Sequence, residues 1–332
     1  MSKKVCFKGI SSIFVFLFAL CLSSCNSKTY NTTAYGMNTV INVKTQGKQA
    51  RETATKILSI INEYENRTSM YLPDSDISKI NSNSGKEYVR VQKDTYRLLK
   101  RAYDLCEESG GRFDITVGPL VTLWNINTGN PQIPQINNEI LSLISYKDIA
   151  FDESINGVKL NKKGQQIDLG GIAKGDVCDK IYEVIKASDI NEAIVSLGGN
   201  VIVYGNRQYN VGIQHPRNPD SIIATVSLQN KLISTAGDYQ RFFEADGIRY
   251  HHIIDPSSGM PYNSDFYSVT IIGEDGALCD YLSTLMFMTP KDRLIDLLDD
   301  YSIIAFGKDN KVYASKNLDI SLKDSSFTVY NN

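Results

Sequence analysis

The stretch Asp168-Leu169-Gly170-Gly171-Ile172-Ala173-Lys174-Gly175 most constrains what this chain can fold into. It follows a polar turn at 161–166 and leads into 176–185, where Val177, Ile181, Val184 and Ile185 recur at helical spacing. A glycine-dense turn therefore opens a helix. Glycine lets the backbone approach a ligand closely and take positive φ. The free N–H groups and the dipole of a first helical turn attract an anion such as a phosphate. The same pattern also serves as plain turn chemistry, so a bound nucleotide is one of two readings at this point.

The chain starts with Lys3, Lys4 and Lys8, continues through an apolar run at 13–22 and reaches Leu22-Ser23-Ser24-Cys25. This resembles a bacterial lipoprotein signal, which implies cleavage before Cys25, lipid on that cysteine and an exported protein tethered to a membrane. A plain secretory signal or an uncleaved anchor are the alternatives. Removing residues 1–24 takes three lysines and no acid, so the formal charge moves from −2 to −5 and nothing points to a nucleic-acid surface. Cys106, Cys178 and Cys279 then remain, an odd trio without metal-like spacing, which argues against a disulfide scaffold or a zinc site and leaves one disulfide open. With 332 residues, 42% of them hydrophobic, the chain can bury the core of one large or two smaller domains.

Beyond a short tether at 25–32, the alternation around 40–44 predicts a strand, with Met37 at its entrance. Ile57, Ile60, Ile61 and Tyr64 predict a helix over 50–68. Pro73 stops regular structure, Asp74 or Ser75 can cap a short helix, and Tyr71 stands in the irregular stretch between, free to pack or to stack on a planar ligand. A second helix over 95–108 ends at Ser109-Gly110-Gly111. Arg112-Phe113-Asp114 follows; Phe113 and the only tryptophan, Trp124, read as core, whereas a carboxylate beside Phe113 needs a partner. A short helix near 137–143 and strands near Ile149 and Val158 precede the central stretch.

Residues 193–197 read as a buried strand ending in Gly198-Gly199-Asn200, a second place for close backbone approach. Strands follow at 201–204, 209–213 and 222–228; His215-Pro216-Arg217-Asn218-Pro219 reads as a solvated surface turn. His251 and His252 sit in a strand-like run, so they point to opposite faces. In the helical segment 277–288, Asp280, Ser283 and Thr284 share one face. Oxygen donors so grouped suit a hard cation such as Mg²⁺, or simply make a capped polar face. The chain has no Gly-x-Ser-x-Gly elbow and no Walker lysine motif.

Taken in order, Tyr35-Gly36-Met37-Asn38-Thr39, the segments at 71–77, 109–120 and 168–175, Leu197-Gly198-Gly199-Asn200, the run 234–239, His252-Ile253-Ile254-Asp255-Pro256 and Asp280-Tyr281-Leu282-Ser283-Thr284 resemble the ApbE family of FAD:protein FMN transferases. The resemblance implies one α/β (α+β) catalytic domain of two lobes over 33–328, with mixed, largely antiparallel sheets packed with helices and the active site between the lobes. It implies an enzyme that splits FAD, joins FMN through a phosphoester to a threonine or serine of a partner protein and releases AMP. Mg²⁺ is implied at Asp280, Thr284 and the Ala173 carbonyl, with Ser283 at a position where some relatives carry an aspartate. By position it implies flavin and adenine contacts at Met37, Tyr71, Arg112, Phe113, Asp114, Gly170, Asp176 and Ile254. His252 is implied as the base for the acceptor hydroxyl, and Asp255 could orient its ring. Exported or membrane redox subunits are the implied acceptors. If water replaces the acceptor, the same site is an FAD pyrophosphatase; a lipoprotein that binds flavin without cutting it is the non-enzymatic alternative.

Overall fold

A computed structural model describes residues 28–126 and 130–330. The lysine-flanked apolar run and Cys25 lie outside those residues. Among the described residues no helix is long and apolar enough to cross a membrane.

The chain opens with the hairpin β1 (Lys28–Gly36) and β2 (Thr39–Gly47), then α1 (Ala50–Thr68), α2 (Asp76–Ser82), β3 (Val89–Arg90), α3 (Lys93–Glu108), α4 (Gly118–Trp124) and α5 (Asn138–Leu141). The middle holds β4 (Ile149–Asp152), β5 (Gly157–Leu160), α6 (Ala173–Lys186), β6 (Ile190–Leu197), β7 (Asn200–Gly205), β8 (Tyr209–Gln214), β9 (Ile222–Leu228) and β10 (Lys231–Gly237). The last third holds β11 (Phe242–Ala245), β12 (Ile248–His251), β13 (Phe266–Gly273), α7 (Gly276–Phe287), α8 (Lys291–Asp296), β14 (Ser302–Gly307), β15 (Lys311–Ala314), β16 (Ile320–Leu322) and β17 (Thr328–Val329).

A nine-stranded sheet in the order β1-β2-β6-β7-β10-β13-β14-β15-β17 forms the frame. Its pairs are antiparallel except β15 with β17. This is the mixed, largely antiparallel α/β arrangement that the sequence implies. One face packs on α1, α6 and α7 through a large core that includes Ile57, Ile61, Val177, Ile181, Val195 and Val269. The other face, with Val203, Ile233 and Phe306, closes on the three-stranded sheet β16-β9-β8. Strand alternation decides which side chain goes where: in β6, Ala193, Val195 and Leu197 are buried while Ile194 and Ser196 turn to the other face and stay partly exposed.

Two expectations change here. Pairing of β1 with β2 reaches back to Lys28, so the fold starts before Thr33 and most of the expected tether is strand. Met37 does not enter a strand: Met37 and Asn38 both take positive φ, 48° and 58°, as the two central residues of a primed hairpin turn. As expected, Ser75 caps α2 by accepting from the Ser78 amide at 2.9 Å, and α1 spans Ala50–Thr68. Cys106, Cys178 and Cys279 are all free and buried.

α6 and α7 meet through glycine. A Cβ on Gly175 would lie 2.1 Å from the carbonyl oxygen of Gly276, so only hydrogen fits between the two helices at their N-terminal ends. Asp179 of α6 accepts from the amides of Gly276 and Ala277 at 2.6 and 3.1 Å, which ties α7's first turn to α6. Both helices therefore present their starts to the same place.

Candidate active site

That place is the inner end of a cleft of about 640 Å³. Its floor is the turn Gly170–Gly171 with Asp168, Lys174 and Thr284; one wall is Arg112 to Ile115, and Ile254 lies along it. Facing these are Gly198 and Gly199 from the β6–β7 turn, Tyr239 to Phe242 leading into the β11–β12 hairpin, and His252 just after it. The loop at 214–217 forms the outer rim.

The glycines act differently from the sequence expectation. None of Gly170, Gly171 and Gly175 has positive φ. What they supply is closeness: a Cβ on Gly171 would sit 2.8 Å from the Phe113 ring and 3.5 Å from Thr284 Oγ1. Nor is the first turn of α6 left open for an external anion. The Gly175 amide donates to Asp280 Oδ2 at 3.0 Å, so the anion placed at this positive helix end is the protein's own carboxylate.

Asp280 is 4% exposed and lies one layer behind the cleft surface. Its Oδ1 accepts from Ser234 Oγ at 3.0 Å, and Ser234 in turn accepts from Asn200 Nδ2 at 3.3 Å. The sequence marks these two residues only as members of matched segments; their role depends on β7 and β10 pairing beneath α7. Thr284, one turn on from Asp280, reaches the cleft surface. Ser283 does not: it is 1% exposed, donates to the Asp280 carbonyl at 2.9 Å and touches Ser234 Oγ at 3.2 Å. It braces Asp280 from behind. Ala173, the first residue of α6, has a buried side chain, leaving its carbonyl as its donor.

Other implied contacts separate into two groups. Arg112, Phe113, Asp114, Gly170 and Ile254 line the cleft. Asp114, however, spends its carboxylate on its own surroundings: Oδ1 accepts from Thr116 N and Oγ1 at 2.8 and 2.7 Å, and Oδ2 accepts from the Tyr146 amide at 2.9 Å. Burial still pushes its carboxyl above the ordinary range. Met37, Tyr71 and Asp176 do not line the cleft. Met37 packs on the main core, and Tyr71 is 50% exposed. Asp176 points away toward α1 and α3, accepting from the Tyr64 hydroxyl and, at 3.1 Å, from Arg97. Two residues on from the cleft-lining Lys174, position 176 lies about 200° round the helix, and two distant residues supply its partners.

The histidines divide as alternation predicts. His251 is buried edge-on to Phe287, with Nε2–H donating to the Tyr262 carbonyl at 3.0 Å. His252 faces the cleft. Its Nδ1–H donates to the Arg241 carbonyl at 3.3 Å, since a carbonyl only accepts, and this leaves Nε2 with a free lone pair. Asp255 has no part in orienting the ring; its carboxylate accepts from Ser257 and Ser258 in the following turn. Burial first, then the positive charges of Arg241 and Lys174, push the imidazole down from 6.5 to about 3. His252 is therefore neutral at any working pH.

A pH dependence follows. Because the folded pKa lies below the unfolded one, the unfolded chain binds the extra proton between about pH 6.5 and 3, so this contribution to stability is complete above 6.5 and is lost as pH falls. Thermal midpoints measured from pH 7 to pH 4 should fall less in His252→Gln than in the parent, by about 1–2 kcal/mol of stability at the acid end after allowing for solvent access. Parallel profiles would show that the ring is not held neutral.

His215 is no solvated residue either. Its Nε2 lies 3.0 Å from Asp324, and its Nδ1 accepts from the amides of Arg217 and Asn218, shaping the rim loop. Arg217 then makes two hydrogen bonds to Asp238, at 2.8 and 2.7 Å. The partner Asp324 is 109 residues away, so local composition carried no sign of it.

The donor set permits a test for a metal. Among the described residues no group of three or more histidine, cysteine, aspartate or glutamate side chains is placed to hold one. Asp280, Thr284 and the Ala173 carbonyl offer one carboxylate and two neutral oxygens. That is too few and too hard for a zinc site, and it suits Mg²⁺, which keeps water and takes substrate phosphate oxygens.

Comparison with known proteins identifies the family. A family model described as the ApbE family matches residues 37–306. A protein of Treponema pallidum named FAD:protein FMN transferase is 32% identical over 266 residues, covering 74% of each chain. One of the same name from Klebsiella pneumoniae is 29% identical, covering 81% of this chain and 84% of its own length. The crystal structure of the ApbE protein of Thermotoga maritima superposes with a TM-score of 0.81 at 32% identity, covering 87% of this chain and 97% of that one.

Proposed function

Since the chain belongs to the ApbE family and is an FAD:protein FMN transferase, we propose that it works with Mg²⁺ held by Asp280, Thr284 and the Ala173 carbonyl, and that it attaches FMN to a serine or threonine hydroxyl. The observation that supports this reading is the meeting at one cleft of a narrow glycine floor, a neutral histidine with a free nitrogen and, just behind the surface, a carboxylate seated at a helix N-terminus. When bound there, Mg²⁺ supplies charge neutralisation to phosphate oxygens.

The chain's own residues do the rest. Gly170 and Gly171 admit the pyrophosphate without a side chain in the way. Phe113 and Ile254 offer apolar wall to the flavin or adenine ring. His252 Nε2 takes the proton of the acceptor hydroxyl as that oxygen bonds to the phosphorus of the FMN half. The bond from this phosphorus to the bridging oxygen breaks, and AMP leaves with that oxygen. Arg241 and Lys174, whose charges add to burial in holding the imidazole neutral, would face phosphate charge beside bound FAD, which offsets their part of that effect and raises the ring's basicity.

No covalent enzyme intermediate is required, in keeping with the lack of a nucleophile motif. The acceptor is an exported or membrane redox protein, and a lipid on Cys25 holds the enzyme beside it. Stripping divalent metal with EDTA should lower AMP release in the presence of FAD and acceptor at least about a hundredfold, and Mg²⁺ should restore it. Full activity in EDTA would remove the metal from the reading.

A further inference from the structure

Lys174 stands between the proposed metal ligand and the cleft. It lines the cleft, whereas Asp280 does not. Its Nζ lies 4.0 Å from Asp280 Oδ2 and donates to the Gly170 carbonyl at 2.8 Å. Its place is unusual for a cation: it is the second residue of α6, where the helix dipole opposes positive charge. No acid on its own helix turn explains it, since Asp176 is committed to Tyr64 and Arg97. What compensates the charge is Asp280 on one side and Asp168 on the other.

Resting on the metal reading above, we propose that Lys174 is an exchangeable cation, which neutralises Asp280 while the metal is away and turns to the FAD pyrophosphate when Mg²⁺ takes the carboxylate. Two cations cannot share one carboxylate oxygen at contact distance without strong repulsion, so metal entry displaces the ammonium. The flexible lysine stem permits this, and its attachment beside the glycine floor keeps the released charge within reach of a phosphate. Lys174 thus opposes metal binding in the free enzyme and favours FAD. Binding of the two ligands becomes mutually reinforcing, because each removes a cost that the other would face.

These opposite signs give the test. The full-chain protein and its Lys174→Met, Lys174→Gln and Lys174→Arg variants are titrated with Mn²⁺ without FAD, read by EPR. They are then titrated with FAD without metal, read by flavin fluorescence. Lys174→Met and Lys174→Gln should bind Mn²⁺ about fivefold more tightly and FAD about tenfold more weakly, with Lys174→Arg near the parent in both. Weaker or unchanged Mn²⁺ binding in both neutral variants, with FAD weakened or not, overturns the proposal, because a structural lysine lowers both affinities together. An Mn²⁺ affinity of the parent that Asp280→Ala leaves unchanged overturns the metal reading itself and the lysine's role with it.

Discussion

Asp280→Ala should reduce FMN transfer by about a thousandfold or more at saturating Mg²⁺ and FAD, with the chain still folded. Asp280 is the sole carboxylate among the proposed donors, and its two oxygens are fixed by the Gly175 amide and Ser234. A metal held by Thr284 and one carbonyl alone would be bound far more weakly and without charge compensation. The substitution also leaves Gly175 N–H and Ser234 Oγ without their acceptor, which costs about 1–3 kcal/mol for each group that water cannot reach. Asp280→Asn separates the two effects, since its amide oxygen can keep one donor satisfied while the charge is gone. Rates followed by AMP release, with thermal midpoints alongside, check this. A rate within tenfold of the parent in both variants would place the metal elsewhere.

Gly175→Ala should be among the most damaging methyl groups that a described glycine can receive. Its Cβ would lie 2.1 Å from the Gly276 carbonyl oxygen and 2.6 Å from Asp280 Cβ, and both neighbours are parts of α7 that cannot rotate aside. The helices must part, at a cost of about 3 kcal/mol or more, and Asp280 moves away from the start of α6. A midpoint lower by about 5–10 °C is expected, together with loss of most transfer activity. Gly110→Ala is the comparison: nothing lies within 4 Å of its Cβ, so it carries only the cost of a φ of +65°, about 1 kcal/mol. Equal destabilisation by the two substitutions would contradict the close-packed junction of α6 and α7.

Where the sequence could be read and where it could not has a physical pattern. α1 and α3 were legible because each keeps apolar residues on one face for three turns or more, and α7, buried almost all round, because a long apolar run ends at Pro290. β1 was not, because Lys28 to Thr33 carries no apolar alternation; it is an edge strand held by the backbone of β2. Asp280, Thr284 and His252 could be marked from spacing and resemblance together. Ser234 and Asn200 could not be given their roles, because the carboxylate they steady arrives from a helix 46 residues beyond Ser234. Asp176 misled for the same reason: its position matches the segment, but its partners Tyr64 and Arg97 come from two other helices. Gly170 and Gly171 were recognised, yet for the wrong property, since sequence cannot separate a glycine needed for φ from one needed for space.

The central claim is that this cleft transfers FMN to a hydroxyl of another protein. It is tested most directly by incubating the protein with FAD, Mg²⁺ and a candidate exported redox acceptor, then measuring the intact mass of the acceptor and the AMP released. One FMN phosphoester gained for each AMP, absent in Asp280→Ala, is the predicted result. AMP and free FMN formed while two different acceptors keep their mass would contradict it and make the cleft that of a hydrolase.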